Sequence, residues 1–289
     1  MLRLDGKAAI VTGAGRGLGR AHALLLAERG AAVLVNDLGA GLDGVPTKET
    51  PAAEVVAEIQ SAGGRAAVNG DSVATDPEAI IAAALDAFGR IDVVVNNAGF
   101  ERPKPFGECT VEDIRNHLDV HFIGTAGVTL AAWPHLIASG AGRIVNTTSA
   151  TVYGLANRTH YGAAKAAILG FTRTLAIEGA EFGIKANAIA PGAATRMAEA
   201  TDTSATVKAY MREHMPPSLV SPAVVYLAHE ECAVSGETLV VAGGKVSRMM
   251  LGETAGITDA QLTPETVEKR LSEVLDTTSF ELRTRVQLS

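Results

Sequence analysis

Short apolar segments alternate with helical patterns along most of this 289-residue chain. Two of them, Ala8–Thr12 and Ala32–Asn36, are apolar on both faces, and a stretch with helical spacing follows each. Strands of this kind belong to sheets covered on both sides, and strands that alternate with helices pair in parallel. The pattern therefore predicts an α/β fold with a doubly wound parallel sheet of about seven strands. The other predicted strands are residues 66–68, 91–95, 143–146, 186–189 and 238–241.

Helical spacing of apolar residues separates these strands. We predict helices over residues 20–29, 51–62, 77–88 and 111–139, and a further one around residue 161. In the helix over 51–62, one stripe is expected to face the core. That stripe consists of Ala53, Val56, Ala57 and Gln60.

No repeat, low-complexity stretch or linker divides the chain, so we predict one domain over residues 1–245. Residues 193–217 are rich in Ala, Thr and Met, which indicates a mobile flap. Residues 246–289 form a C-terminal extension beyond the last predicted strand. We expect a helix after Thr263, because a proline follows it. The apolar stripe of this helical extension is expected to pack on the body or on a neighbouring subunit.

Composition and charge limit the kinds of partner. Apolar residues make up 47% and charged residues 20%, enough for a substantial core. The net charge of −7, without a long basic block, argues against nucleic acid and against a membrane surface. Two distant cysteines, Cys109 and Cys232, predict a reducing compartment, no disulfide and no metal site. The polar start and the lack of an apolar run near 18 residues predict a cytoplasmic protein.

A glycine-rich loop, TGAGRGLG, follows the first predicted strand and precedes a helix. Gly13, Gly17 and Gly19 let the backbone turn tightly and approach a pyrophosphate, whose charge the helix N-terminus stabilises. This strand–loop–helix context predicts a Rossmann dinucleotide site, in which Arg16 and Leu18 also line the cofactor.

The end of the second strand predicts which dinucleotide is bound. Asp37 follows Gly19 by 18 residues and is placed to accept a hydrogen bond from a ribose 2′-hydroxyl. Its charge repels a 2′-phosphate, whereas the guanidinium of Arg16 would bind one. The repulsion between the Asp37 carboxylate and a 2′-phosphate outweighs the attraction that Arg16 would add, so we predict NAD. Because of Arg16, NADP is kept as the alternative.

Tyr161 and Lys165 lie four residues apart and therefore share one face of a predicted helix. A lysine ammonium beside a tyrosine stabilises the phenolate and lowers the pKa of the phenol. The pair predicts an acid/base group that protonates a carbonyl oxygen or deprotonates an alcohol.

Further motifs stand in a fixed order around this pair. Besides the glycine loop they are Asp71, the NNAG segment at 96–99, Ser149, Tyr161 with Lys165, and Pro191-Gly192. In this order the chain resembles the short-chain dehydrogenases/reductases over residues 7 to about 245. The resemblance implies that Tyr161 transfers the proton, that Lys165 also holds the nicotinamide ribose, and that Ser149 orients the substrate oxygen.

The same resemblance implies the cofactor contacts. Gly13, Gly17 and Gly19 would line the pyrophosphate, Asp71 and Ser72 the adenine, Asn97, Ala98 and Gly99 the ribose, and Pro191 and Gly192 the nicotinamide.

Two positions depart from the family pattern. The family serine usually stands 13 residues before the tyrosine; Ser149 stands 12 before it, and Thr148 is the alternative. The family's asparagine in the central helix is His121 here. A histidine with a near-neutral pKa would suit a proton relay, and a core histidine bonded to a local carbonyl fits equally. His160 is given no role.

Local features narrow the resemblance to one branch of the family. The NDLG segment with its insertion through Gly44, the AAW segment at 131–133, His121 and the extension resemble the 3-hydroxyacyl-CoA dehydrogenase domain of peroxisomal multifunctional enzymes type 2. They also resemble bacterial stand-alone relatives, some of which act on steroid 17-hydroxyls or other bulky secondary alcohols. The implied activity is NAD-dependent oxidation of a small-molecule secondary alcohol to a ketone, and the reverse, with 3-hydroxyacyl-CoA as the leading substrate.

A CoA substrate would need cations for its phosphates. Solvated surface charge is the competing interpretation for each candidate: Arg102, Lys104, Arg196 and Lys208. Two other functional classes are a lyase that uses tightly held NAD and a non-catalytic NAD sensor. The lyases usually carry TGxxGxxG, and the sensors typically lack the tyrosine or the lysine. Relatives pair through helices beside the sheet, which implies a homodimer or homotetramer.

Overall fold

The computed structural model describes residues 1–45, 47–200 and 203–283, and its mostly parallel sheet confirms the predicted α/β class. Strands β1 to β7 pair in parallel in the order β3-β2-β1-β4-β5-β6-β7. The chain therefore starts mid-sheet and reverses direction between β1 and β4, where doubly wound sheets bind ligands. The strands are β1 (Ala8–Thr12), β2 (Ala32–Asn36), β3 (Arg65–Asn69), β4 (Val93–Asn96), β5 (Arg143–Thr147), β6 (Lys185–Gly192) and β7 (Thr238–Ala242).

Helices connect the strands and cover both faces of the sheet. They are α1 (Gly17–Glu28), α2 (Pro51–Ser61), α3 (Pro77–Phe88), α4 (Val111–Leu118), α5 (Gly124–Ala138), α6 (Thr159–Glu178), α7 (Arg196–Ala200), α8 (Ala205–His214) and α9 (Ser221–Ala228). Short 3₁₀ turns lie at Phe106–Glu108, Ala150–Tyr153, Ala180–Phe182 and Pro217–Leu219.

The two faces of each strand contribute to two separate cores. In β1, Val11 packs into a cluster with Leu26 of α1 and Val224 of α9. The adjacent Ile10 packs into a second cluster, with Ile80 of α3 and further residues of α5 and α6. Both faces of β1 are therefore buried, which is why this strand is apolar over Ala8–Val11.

Of the four residues in the predicted stripe of α2, Val56 packs against the core, and the prediction is wrong for the other three. Its buried residues are Pro51, Ala52, Val55 and Ile59, whereas Ala53, Ala57 and Gln60 are exposed. The buried set follows helical spacing from Ala52 and carries Val55 and Ile59. The face with more apolar surface turns inward, because apolar burial drives the packing.

An eighth strand, β8 (Lys245–Met249), extends the sheet beyond β7, where we expected the extension to begin. Gly243 and Gly244, both with positive φ, connect the two strands. A two-residue connection makes an antiparallel hairpin. Four of the five residues of β8 are exposed, so the strand lacks the apolar run that marks the others.

The long helical stretch contains an irregularity near the site. Between α4 and α5, residues Asp119–Ile123 form one turn of π-helix. The combined helix is long and apolar enough, by length and composition, to span a membrane. In this fold, Val128, Ala132 and Leu136 of α5 are fully buried against the sheet.

The chain divides into two compact units, Met1–Ser247 and Arg248–Ser289. The second contains the antiparallel strands β9 (Gly252–Thr254) and β10 (Phe280–Leu282), with α10 (Pro264–Lys269) and α11 (Leu271–Val274) between them. Thr263 caps α10 by accepting a hydrogen bond from the Thr266 N–H. The packing expected for the extension, and the mobility expected for residues 193–217, stay predictions.

Candidate active site

One cleft, about 620 Å³ in volume, opens at the carboxyl ends of β1 to β6. It brings together all the residues that the sequence predicted for the cofactor and for catalysis. These are Gly13, Arg16, Gly17, Leu18, Gly19, Asp37, Asp71, Ser72, Asn97, Ala98, Gly99, His121, Ser149, Tyr161, Lys165, Pro191 and Gly192.

The glycine loop is tightly packed against the end of β4. A Cβ on Gly13, whose φ is +62°, would lie 2.8 Å from the Ala98 Cα. A Cβ on Gly19 would lie 2.1 Å from the Gly13 carbonyl oxygen. Side chains at these positions would displace the loop.

Thr12 and Asn97 tie the glycine loop to the loop after β4. The Thr12 hydroxyl oxygen accepts hydrogen bonds from the N–H groups of Asn97 and Ala98, each at 3.0 Å. The Asn97 side-chain amide donates to the carbonyl oxygens of Thr12 and Gly13, at 2.9 and 3.1 Å. Asn97 therefore fixes the shape of the glycine loop through its side-chain amide.

The N-terminus of α1 suits an anionic ligand. Arg16 occupies its N-cap position and makes no capping hydrogen bond from its side chain, whereas Thr110 caps α4 with its hydroxyl. The first N–H groups of a helix have no partner within the helix, and a phosphate satisfies them well. The uncapped terminus and the compact glycines fit the pyrophosphate of a dinucleotide.

At the adenine end, the Asp37 carboxylate accepts hydrogen bonds from Gly15 and Gly39 N–H groups, both at 2.8 Å. These bonds fix the carboxylate at the cleft wall and leave lone pairs for a ribose hydroxyl. Arg16 forms an ion pair with Glu49. The charge that would attract a 2′-phosphate is thus partly neutralised. Asp71 is held by the Asn69 side-chain amide at 2.6 Å.

At the reacting end, Tyr161, Lys165 and Ser149 converge. Tyr161 and Lys165 are both buried on α6, and the ammonium nitrogen lies 5.8 Å from the centre of the phenol ring. The Ser149 side chain acts on the Tyr161 phenol and lowers its pKa, against the larger effect of burial, and the Ser149 oxygen accepts a hydrogen bond from the Thr151 N–H at 3.1 Å. Lys165 Nζ donates to the Thr147 carbonyl oxygen at 2.8 Å.

Burial, rather than the lysine charge, dominates the acidity of this pair. It raises the pKa of Tyr161 to about 12, with a further rise from the Glu101 carboxylate. It also lowers the pKa of Lys165 to about 7. The prediction that Lys165 lowers the pKa of Tyr161 is therefore wrong for this arrangement, because desolvation disfavours both charged forms.

Thr148, the alternative to Ser149, has its hydroxyl bonded to the backbone. The Thr148 hydroxyl donates to the Lys165 carbonyl oxygen at 2.7 Å, and the residue is 1% exposed. It holds the α6 backbone, whereas the Ser149 side chain acts on the Tyr161 phenol.

His121 lies on the π-turn with its ring 5.2 Å from that of Tyr161, edge to face. Its Nε2 lies 2.7 Å from the Phe100 carbonyl oxygen, which can only accept, so Nε2 carries the proton. Burial lowers the pKa of His121 well below its usual value, contrary to the near-neutral pKa expected from the sequence. Nδ1 is a buried acceptor without a partner among the described residues. His121 is thus a neutral group that holds the loop after β4.

Other predicted residues have different surroundings. His160 Nε2 contacts the Arg102 carbonyl oxygen at 2.8 Å, and Nδ1 lies 3.7 Å from the Cys109 sulfur. Of the cations considered for CoA, Arg102 donates to the Asp43 carbonyl and Lys104 pairs with Asp113 at 2.7 Å. Arg196 lines the cleft.

Glu101 and Arg158 also line the cleft, and neither was among the residues predicted from the sequence. A usable signal existed: Arg158 stands three residues before Tyr161, one helical turn away on the same face. Glu101 follows the NNAG segment by only two positions.

The doubly wound sheet and this cleft define a Rossmann-type nicotinamide dinucleotide oxidoreductase. Residues 7–206 match the family model described as short chain dehydrogenase. The chain belongs to the short-chain dehydrogenase/reductase family.

Two relatives illustrate how the chain compares with longer and shorter proteins. A putative short-chain type dehydrogenase/reductase of Mycobacterium tuberculosis is 45% identical over 271 residues, covering 92% of this chain and 93% of that protein. Mouse peroxisomal multifunctional enzyme type 2 is 43% identical over 280 residues. That match covers 95% of this chain but only 37% of the mouse enzyme, so the chain corresponds to about a third of its length.

Two solved structures are also similar. A short-chain dehydrogenase from Mycobacterium avium has a TM-score of 0.79 at 37% identity, covering 94% of this chain and 95% of that one. A 7α-hydroxysteroid dehydrogenase in complex with NADH and 7-oxo glycochenodeoxycholic acid has a TM-score of 0.74 at 32% identity, covering 84% of this chain and 95% of that one.

Proposed function

We propose that this enzyme oxidises a secondary alcohol to a ketone, and catalyses the reverse, with NAD as its cofactor and 3-hydroxyacyl-CoA as its leading substrate. The observation that carries the proposal is that Ser149 and the buried Tyr161 and Lys165 line one cleft. Pro191 and Gly192, the expected nicotinamide contacts, line the same cleft.

In the direction of ketone reduction, the Tyr161 phenol gives its proton to the carbonyl oxygen, and Ser149 donates a hydrogen bond to that oxygen. In alcohol oxidation the proton moves the opposite way. When bound, the nicotinamide supplies or accepts the hydride. In this proposal Lys165 also binds the nicotinamide ribose, as the family resemblance implies. His121 keeps the loop after β4 in place through the Phe100 carbonyl.

The preference for NAD rests on two groups at the adenine end. The Asp37 carboxylate faces the cleft and would repel a 2′-phosphate. Arg16, which would attract that phosphate, is paired with Glu49. The NADH bound in the 7α-hydroxysteroid dehydrogenase is further support.

The substrate proposal rests on the relatives and on the cleft wall. Beyond Gly192 the wall is apolar at Ala193, Met197 and Met211, which suits an acyl chain. Mouse peroxisomal multifunctional enzyme type 2 supports the 3-hydroxyacyl-CoA reading through the resemblance stated above. The 7α-hydroxysteroid dehydrogenase favours a hydroxysteroid as the second candidate, because the same wall suits a bulky ring system.

The proposal extends to assembly and location: a cytoplasmic homodimer or homotetramer. The location is proposed from the low cysteine content, with Cys109 and Cys232 far apart in the sequence.

The test is to incubate the purified protein with NAD or NADP and to follow reduced nicotinamide. The substrates are 3-hydroxyacyl-CoAs of several lengths, hydroxysteroids and small secondary alcohols. We expect the highest kcat/KM with a 3-hydroxyacyl-CoA and NAD. A rate confined to small alcohols would exclude both the CoA and the steroid proposals, and a preference for NADP would exclude the cofactor assignment.

The matched control is Tyr161→Phe. It should lower kcat by about 10²- to 10⁴-fold, the usual worth of a positioned acid, while NADH still binds by fluorescence titration. Full turnover by this variant would exclude the acid/base role. No turnover by the wild-type protein, with NAD bound, would favour the sensor.

A further inference from the structure

A charged pair lies in the wall of the cleft near the reacting end. Arg158 Nε donates to Glu101 Oε1 at 2.5 Å, and the two side chains are only 13% and 11% exposed. Arg158 directly precedes α6, one turn before Tyr161, and Glu101 lies in the loop after β4. The pair therefore joins the two segments that border the acid/base group.

Both members of the pair keep unused hydrogen-bonding atoms. The second bond of the guanidinium runs from Nη1 to the Ala156 carbonyl oxygen at 3.2 Å. Within the described part of the chain, Arg158 Nη2 and Glu101 Oε2 have no hydrogen-bond partner, and neither is sealed from solvent. Because both residues line the cleft, the free donors of Arg158 are available to a ligand there.

The cleft that the pair lines also has apolar walls. Leu155, Met197 and Phe100 line the same cleft. An ion pair with this much burial is often no more stabilising than apolar side chains of similar volume. Stability alone therefore does not account for a charged pair at this place, whereas binding of a polar group of the substrate does.

We infer that Arg158, held by Glu101, binds a hydrogen-bond acceptor that the substrate carries close to its reacting carbon. The inference rests on the proposed function and narrows its substrate class to β-oxygenated carbonyl compounds, such as 3-oxoacyl thioesters and esters. The carbonyl oxygen two carbons from the reacting centre accepts from the guanidinium, while Ser149 and Tyr161 contact the reacting oxygen. Glu101 orients the guanidinium and balances its charge, which would otherwise be buried alone.

The test uses two probes of equal chain length, ethyl acetoacetate and 2-heptanone, with NADH as reductant. Both present a methyl ketone, but only the ester carries an acceptor at the β-position. A hydrogen bond from a charged group contributes about 1.5–3 kcal/mol. Arg158→Met should therefore lower kcat/KM for ethyl acetoacetate by about 10- to 150-fold more than for 2-heptanone.

Comparing the probes separates recognition from effects on Tyr161. Arg158 and Glu101 also act on the charge of Tyr161, and this effect reaches both probes equally. Arg158→Lys should recover part of the ester preference, and Glu101→Gln should weaken it. Arg270→Gln, which removes an exposed ion pair with Glu273 in the extension, is the control and should leave both probes unchanged.

Each outcome decides the inference. An equal loss on both probes, or no loss on either, overturns the role of Arg158 and leaves the proposed function standing. Turnover of neither probe by the wild-type protein overturns the inference for esters and leaves the proposed function, which is tested with 3-hydroxyacyl-CoAs, standing. NADH binding and thermal unfolding of the Arg158 variants establish that the fold is retained; if Arg158→Met fails to fold, Arg158→Lys and Glu101→Gln decide by the same ratio.

Discussion

At the scale of single residues, the environment of a side chain decides what it does. Thr148 and Ser149 are adjacent hydroxyl residues, and spacing alone left both as candidates. The Thr148 hydroxyl donates to the Lys165 carbonyl oxygen, whereas the Ser149 side chain acts on the Tyr161 phenol. Likewise, His121 is neutral because it is buried, whatever its usual pKa.

Replacing each hydroxyl separately tests this division. Ser149→Ala should lower kcat by about 10²-fold or more, since a hydrogen bond to the reacting oxygen is lost. Thr148→Val should leave kcat within about threefold but lower the free energy of unfolding by about 1–3 kcal/mol, because a buried acceptor loses its donor. Steady-state kinetics and urea unfolding measure the two effects. The reverse pattern would assign the family role to Thr148.

Lys165 should make the protein less stable at neutral pH than at alkaline pH. Its pKa is about 7 in the folded protein, against an ordinary value of 10.5. Between these values the unfolded chain holds a proton that the folded protein lacks, so this contribution to stability rises with pH and the penalty is full below pH 7. Lys165→Met should therefore gain stability relative to the wild-type protein below pH 7, and this difference should shrink towards pH 10.5.

Thermal unfolding from pH 6 to 10 measures that slope. Lys104→Met is the control: Asp113 raises the pKa of Lys104, so no slope is expected over the same range. A difference between Lys165→Met and the wild-type protein that does not change with pH would contradict the lowered pKa.

At the scale of elements, close backbone contacts position the cofactor site. The glycine loop, β4 and α1 approach so closely that a Cβ on Gly19 would overlap the Gly13 carbonyl oxygen. The π-turn Asp119–Ile123 similarly sets where His121 contacts the loop after β4. Such contacts tolerate little change, whereas exposed helical positions tolerate more.

Gly19→Ala should therefore weaken NADH binding by at least about tenfold, because the loop must move away from β4. The matched control is Gly170→Ala on α6, where an added Cβ meets nothing within 4 Å. That variant should bind NADH normally and gain about 0.5–1 kcal/mol of stability from its better helix propensity. Normal binding by Gly19→Ala would show that the loop has room to adjust.

At the scale of the whole molecule, all the residues that line the cleft come from the first compact unit. The core clusters of both sheet faces lie within this unit as well. Dinucleotide binding should therefore depend on residues up to the end of β8 and not on the rest of the extension.

Removing residues 252–289 should leave a folded protein that binds NADH within about threefold of the full chain. The cut keeps β8 complete, so the edge of the sheet is unchanged. Fluorescence titration and circular dichroism measure binding and fold. A folded truncated protein that no longer binds NADH would contradict this division.

The sequence by itself determined the fold class, the glycine loop and the acid/base pair. Strands buried on both faces are mostly apolar, and a glycine loop between a strand and a helix is typical of a phosphate-binding site, so both could be predicted from local pattern. The pair Tyr161 and Lys165 was evident for the same reason, since helical spacing fixes their common face.

The tertiary structure decided what depends on contacts between distant segments. The exposed strand β8 carries no apolar run, and the buried face of α2 follows from its neighbours. The shifted pKa values of Tyr161 and Lys165 arise from burial that no short pattern encodes. Glu101 and Arg158 are 57 residues apart and meet only when the loop after β4 reaches the start of α6. Local sequence pattern determines the helices and strands. Packing between distant segments determines the protonation of buried side chains and the shape of the cleft.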